Sequence, residues 1–152
     1  MSTFIKNRRA HFDFELIDTL EGGLVLAGHE VKAIRHGKGK LDGAFVHVRG
    51  GEAYLVGASI APYQVANTPN SYDPERARKL LLSRKEIDRL EQQTEKERLT
   101  AIPLRLYNHG RNIKVEIAIA RGKKKHDKRE TIKARDTTRE IERTLKAQYP
   151  HR

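Results

Sequence analysis

Seven histidines, at positions 11, 29, 36, 47, 109, 126 and 151, are the side chains best suited to acid–base or metal chemistry at neutral pH. Their spacing gives them no common task. No two stand four apart, as a helical metal-binding pair requires, and there is no cysteine to complete a ligand set or close a disulfide. The Ser and Asp residues form no nucleophile elbow, and no G-x-x-x-x-G-K-[ST] loop is present. The glycines of "GGEAYLVG" (50–57) serve a hairpin instead. No catalytic residue, metal site or cofactor is expected, and the chain does not read as an enzyme.

Lysine and arginine remain, and their chemistry is phosphate binding. The 152 residues carry a formal net charge of +11, with a pI of about 10.0. Four clusters stand out: Lys6-Asn7-Arg8-Arg9; Lys32, Arg35, Lys38 and Lys40; Arg76, Arg78 and Lys79; and Arg121, Lys123, Lys124 and Lys125. One such cluster is usually a solvated surface. Four on one small domain point to a polyanion, and nucleic acid is the usual one. An anionic membrane surface is the rival reading. Aromatic residues make up only 6%, with no Trp, so backbone and shape contacts are expected to outweigh base stacking in the body. No apolar run approaches a membrane span, and the N-terminus lacks the apolar core of a signal peptide. A soluble cytoplasmic protein is expected.

These residues need a scaffold, and the pattern for it is mainly strand. "HFDFEL" (11–16) alternates apolar and polar residues, and "GLVLAG" (23–28) is a short apolar run between glycines. "AFVHVRGGEAYLVGASI" (44–60) reads as a hairpin turning at Gly50-Gly51. "TAIPLRLYNHGRNIKVEIAIA" (100–120) reads as another, turning near Asn108-His109-Gly110, with Ile113, Val115, Ile117 and Ile119 on one face. Six strands without βαβ rhythm predict a small antiparallel barrel or sandwich. A short helix is expected over 28–37, stopped by Gly37, and a second over 83–98, opened by the Ser83/Glu86 capping box with a thin stripe of Ile87 and Leu90. "KLLL" (79–82) then belongs to the element before that helix.

The charge is uneven. From Arg121 to Lys146, eleven Lys or Arg face five Asp or Glu, about half of the net charge. The chain is expected to divide into a body, 1–121, and a basic tail, 122–152. The tail has too few apolar residues to fold alone. The pairs Glu142–Lys146 and Asp136–Arg139 would support a helix once something else holds it, and Pro150 ends the run.

"NRRA" (7–10), "LEGGLVLAGHEVKAIRHGK" (20–38), "DPERARKLLLSRKEID" (73–88) and "LRLYNHGRNIKVEIAIARGKKKHDKRETIK" (104–133) together resemble one family. It is the SsrA-binding protein family (small protein B, SmpB), the bacterial partner of transfer-messenger RNA. The resemblance covers nearly the whole chain. It implies an OB-like antiparallel β-barrel with two or three packed helices. It also implies a basic C-terminal tail, disordered when free and helical on the ribosome. It implies binding to the tRNA-like domain of transfer-messenger RNA and delivery of that RNA to stalled ribosomes, where trans-translation frees the ribosome and tags the nascent chain. The implied partners are transfer-messenger RNA, the small-subunit decoding centre and mRNA channel, and EF-Tu with the alanylated RNA. A monomer on RNA, no membrane and no cofactor are expected.

Matched position by position, the resemblance places Asn7, Glu21, Leu81 and Lys114 on the RNA-binding face, although core packing is an equal reading for Leu81. Arg8, Arg9, Lys32, Arg35, Lys38, Arg76, Arg78, Lys79, Lys123 and Lys124 join them as phosphate contacts. It places His126, Asp127, Lys128 and Arg129 near the decoding centre, with Lys133, Arg135, Arg139, Ile141, Arg143 and Leu145 along the mRNA channel. Three positions depart from the family: Phe12 follows His11 where the family has Arg-His, Tyr72 precedes Asp73 where a histidine is common, and Thr137 replaces a tail Trp. Phe12 is then a candidate to stack on the RNA in place of the histidine. The rival functions are a structural ribosomal or initiation-factor-like OB protein and a basic membrane-surface protein; the tail's narrow apolar face disfavours the latter.

Overall fold

The computed structural model describes residues 2–64, 66 and 68–123. Nine strands, β1 Thr3–Lys6, β2 Phe14–Leu24, β3 Gly39–Lys40, β4 Phe45–Arg49, β5 Glu52–Val56, β6 Ser59–Ile60, β7 Arg78–Leu81, β8 Thr100–His109 and β9 Asn112–Gly122, alternate with α1 Ala10–Asp13, α2 Gly28–Arg35 and α3 Arg84–Glu91. Seven strands form one antiparallel sheet in the order β1-β8-β9-β2-β7-β5-β4. The sheet curls far enough for β4, at one edge, to pack against β8, while β3 and β6 pair beside β1. This is the expected barrel. Alternation explains its inside: Ile113, Val115, Ile117 and Ile119 of β9 meet Leu55, Leu80, Leu106 and Ile34 in one core. A second, smaller cluster of Ala10, Ile102, Ala118 and Ala120 lies under α1.

Both expected hairpins form. Gly50 and Gly51 adopt φ of +60° and +78°, the left-handed pair that a two-residue hairpin turn needs. Gly37, at φ +71°, ends α2 as expected. The Ser83 hydroxyl accepts from the Glu86 N–H at 3.2 Å and the Glu86 carboxylate accepts from the Ser83 N–H at 2.9 Å, completing the capping box of α3. Leu90 carries α3 onto the barrel: it is fully buried, worth ~2 kcal/mol. The helix then widens into a π-helical turn, Gln92–Lys96.

Two strand expectations are corrected. Residues 11–13 are helical, because Phe12 turns inward and the Phe12 and Asp13 N–H groups both bond to the Arg9 carbonyl. The strands expected at 11–16 and 23–28 are instead one continuous strand, β2, from Phe14 to Leu24. Gly22 lets Leu82 pack closely on this strand: a Cβ there would lie 2.7 Å from Leu82 Cδ2 and the leucine side chain would have to shift. β1, unassigned in the sequence, is a third correction. Among the described residues, no helix is long and apolar enough to cross a membrane.

Candidate nucleic-acid interface

Strand register assembles the site. Gly23 pairs with Leu81 on one side and with Lys114 on the other. All three face outward, and Gly23 has no side chain. Leu81 and Lys114 therefore converge over its backbone: a Cβ built there would meet Leu81 Cδ1 at 3.4 Å and Lys114 Nζ at 3.6 Å. Leu81 is 56% exposed while its neighbour Leu80 is in the core, so core packing is not the role of Leu81. A depression of about 320 Å3 opens here, lined by Gly23, Leu26, Val31, Leu81, Asn112 and Lys114 among others.

Glu21 stands two residues before Gly23 on the same outward side. The Tyr107 hydroxyl donates to its Oε2, and His109 Nδ1 lies 3.3 Å from that oxygen. The Tyr107 hydroxyl holds the Glu21 carboxyl below its usual range against the opposing effect of burial, helped by His109 and Lys114. Burial and Glu21 push Tyr107 up. Glu21 is therefore an oriented carboxylate at neutral pH, and its Oε1 has no protein partner among the described residues. It can accept from a base N–H or a ribose 2′-OH. The Arg105 guanidinium lies 4.1 Å from the Tyr107 ring centroid and bonds to Glu116 at 2.9 Å, which buttresses this corner. Sequence reasoning missed Tyr107 and His109. Period-two alternation backwards from Lys114 across the hairpin would have found Tyr107, its register partner.

The other predicted residues divide. Lys32, Arg35 and Lys38 are exposed around α2; Arg35 donates to the Arg111 carbonyl at 3.2 Å and lies 5.7 Å from the Phe4 ring centroid. Arg8 is exposed. Asn7 is a staple: its Nδ2 donates to the Pro103 carbonyl at 2.9 Å and its Oδ1 accepts from the Arg9 N–H. Arg9 pairs with Asp13 at 3.4 Å. Asn7, Arg9 and Lys123 line a separate cleft of about 460 Å3 where β9 ends. Lys79 is exposed and pairs with Glu52 at 3.1 Å. Lys124 and all the tail residues from His126 to Leu145 lie outside the described residues.

Arg78 and Phe12 are corrections. Arg78 is fully buried and cannot present its charge to phosphate. Its five N–H groups are all used: by Glu30 (2.9 Å), the Ala58 and Arg76 carbonyls (3.0 Å each), the Tyr72 hydroxyl (3.0 Å) and the Pro74 carbonyl (2.9 Å). Arg76, half-exposed, also binds the buried Glu30 carboxylate. Burial pushes the Glu30 carboxyl up, but Arg76, the Ala27 N–H and Arg78 outweigh it and hold it at about 2. Tyr72, whose hydroxyl donates to the Ile60 carbonyl at 2.8 Å and accepts from Arg78, thus closes a structural knot. Phe12 is buried, so it cannot stack on a base. Among the described residues no group of three His, Asp or Glu could hold a metal ion.

The comparisons agree on one family. The SsrA-binding protein of Synechococcus sp. (strain JA-3-3Ab) is 49% identical over 146 residues, spanning 96% of this chain and 95% of its own. That of Chelativorans sp. (strain BNC1) is 50% identical over 147 residues, spanning 96% and 94%. A solved structure described as "tmRNA-SmpB: a journey to the center of the bacterial ribosome" is similar with a TM-score of 0.67 and 41% identity, over 84% of this chain and 92% of that one. The SmpB protein family model matches residues 4–147, and with a barrel of this topology beneath that match, the chain belongs to the SmpB family.

Proposed function

We propose that this protein binds the tRNA-like domain of transfer-messenger RNA and delivers it to stalled ribosomes for trans-translation, as a cytoplasmic, non-enzymatic factor. The observation that carries the reading is the convergence of Glu21, Leu81 and Lys114 on one outward sheet face, in a chain matched to its relatives almost end to end. On that face an apolar side chain, an ammonium and an oriented carboxylate lie beside a nucleotide-sized depression. Lys114 meets phosphate, Leu81 packs on a base or ribose, and Glu21 accepts one hydrogen bond that only a correctly shaped RNA can present. The body, 1–121, carries this recognition as a monomer. The tail, 122–152, acts later, with His126 to Arg129 at the decoding centre and the residues from Lys133 to Leu145 in the empty mRNA channel. EF-Tu with the alanylated RNA completes the delivery complex.

Glu21→Ala tests the reading. Affinity for a tRNA-like RNA falls by about tenfold, ~1.4 kcal/mol, in a filter-binding titration. Affinity for an unrelated RNA of the same length stays equal or rises slightly, since a negative charge has gone. Equal loss on both RNAs, or no loss on either, refutes recognition through this face.

A further inference from the structure

The outward side of the β4–β5 hairpin carries a row of rings that the site above does not use. Alternation sends Phe45, His47 and Arg49 out of β4 while Val46 and Val48 enter the core. From β5 it sends out Glu52, Tyr54 and Val56, while Ala53 and Leu55 are buried. Register sets His47 opposite Tyr54, Phe45 opposite Val56 and Arg49 opposite Glu52. Opposed side chains on one sheet face stand ~5 Å apart, so the imidazole and the phenol are neighbours, with Phe45 two residues along. Phe45 is 42% exposed. A shelf of about 560 Å3, lined by His47, Arg49, Glu52, Tyr54 and Val56 among others, lies over this surface.

The charges around the rings are basic. Lys79 of β7 is the register partner of Tyr54 on the far side of β5. The Arg84 guanidinium overhangs the hairpin turn, 3.0 Å from where a Cβ on Gly51 would stand, and pairs with Asp88 at 3.5 Å. Glu52, the carboxylate on the shelf itself, is engaged: the Tyr54 hydroxyl donates to one oxygen at 2.7 Å and Lys79 to the other at 3.1 Å. That engagement offsets its charge and tethers the Tyr54 ring. β7 links the two surfaces, since Lys79 and Leu81 both point outward from it.

We propose that this face is a second RNA contact, a stacking platform for unpaired nucleotides, continuous through β7 with the Glu21, Leu81 and Lys114 face. It rests on the RNA-binding reading above and extends it. His47, Tyr54 and Phe45 offer ring faces or edges to successive bases, while Arg49, Lys79 and Arg84 meet the phosphates between them. A duplex keeps its bases stacked on one another and cannot use the rings, so the platform selects single-stranded or looped-out RNA. The overall scarcity of aromatic residues conceals this: only two of the nine Phe and Tyr, Phe45 and Tyr54, lie on this hairpin, and the third ring is the His47 imidazole.

The test is fluorescence anisotropy with the full chain and three probes: a uridine decamer, a 12-base-pair RNA duplex and a tRNA-like RNA. The double variant His47→Ala/Tyr54→Ala is expected to lose about thirtyfold affinity for the decamer, and less than twofold for the duplex. The ring-keeping variant His47→Phe/Tyr54→Phe is expected to stay within about threefold of the original on the decamer, which separates stacking from folding. The proposal is overturned if the unaltered protein ignores the decamer, if the alanine pair leaves decamer binding intact, if duplex binding falls in parallel, or if the phenylalanine pair falls as far as the alanine pair. Loss of decamer binding in the alanine pair, together with no preference of the unaltered protein for the tRNA-like RNA, would sustain the platform and sink the function proposed above.

Discussion

Glu30 and Arg78 hold opposite charges in the interior, and each is tolerable only because of the other. Removing one partner leaves the other buried and unpaired, which costs on the order of 3–5 kcal/mol. Glu30→Ala should therefore lower the urea midpoint severely, and Arg78→Ala should do the same, so any loss of RNA affinity in these variants follows loss of fold by circular dichroism. The pH dependence has a definite sign. The folded carboxyl sits at about 2 against an ordinary 4.5. The unfolded chain therefore binds this proton first. The stabilisation, on the order of 3 kcal/mol, is complete above the ordinary value and fades as pH falls from 4.5 towards 2. Glu30→Gln should flatten that part of the acid limb in urea titrations between pH 6 and 2.5. An unchanged limb would mean that Glu30 does not control it. Arg78 was misread in the sequence for a physical reason: a buried arginine and an exposed one share the same letter. Only the partners differ, and Glu30 is 48 residues away.

Elements were legible where local rules decide them. The Gly50-Gly51 turn, the Ile113-to-Ile119 stripe and the Ser83/Glu86 box all form as their patterns require. α1 was not legible: "HFDFEL" has a strand period, and only Phe12 packing inward and the turn at Arg9 override it. β1 was missed because its partner, β8, lies about a hundred residues on. The outward triad of Glu21, Leu81 and Lys114 could be named by resemblance, but its convergence depends on the pairing of β2 with both β7 and β9. Tyr107 and His109 were hidden for the same reason. The capping box gives a clean test at this scale. Ser83→Ala removes one cap bond of a helix that rests on the barrel mainly through Leu90, and should cost about 1 kcal/mol in denaturant unfolding. Ser83→Asp should recover most of it, since a carboxylate also caps and favours the helix N-terminus. No recovery would assign the loss to something other than the cap.

At the scale of the whole molecule, charge and fold are separable. Every core residue among those described lies at or before Ala120, and the Lys123 N–H closes the end of β9 on the Asp13 carbonyl at 2.9 Å. A chain ending at Lys123 keeps all of these contacts and the convergent face of Glu21, Leu81 and Lys114. It loses most of the basic surplus counted from Arg121 to Lys146. If the body carries recognition, this shorter chain should bind the tRNA-like RNA within about tenfold of the full chain, ~1.4 kcal/mol. Salt separates the two contributions. Neutralising about five phosphates on the body gives a log–log slope on the order of −4, and the shorter chain should keep most of it. The full chain should be steeper on non-specific RNA, where the tail adds phosphate contacts without adding recognition. Titrations at several salt concentrations measure both quantities. A shorter chain that loses affinity by three orders of magnitude, with its slope collapsing towards zero, would move the principal RNA site into the tail and leave the sheet face as scaffold.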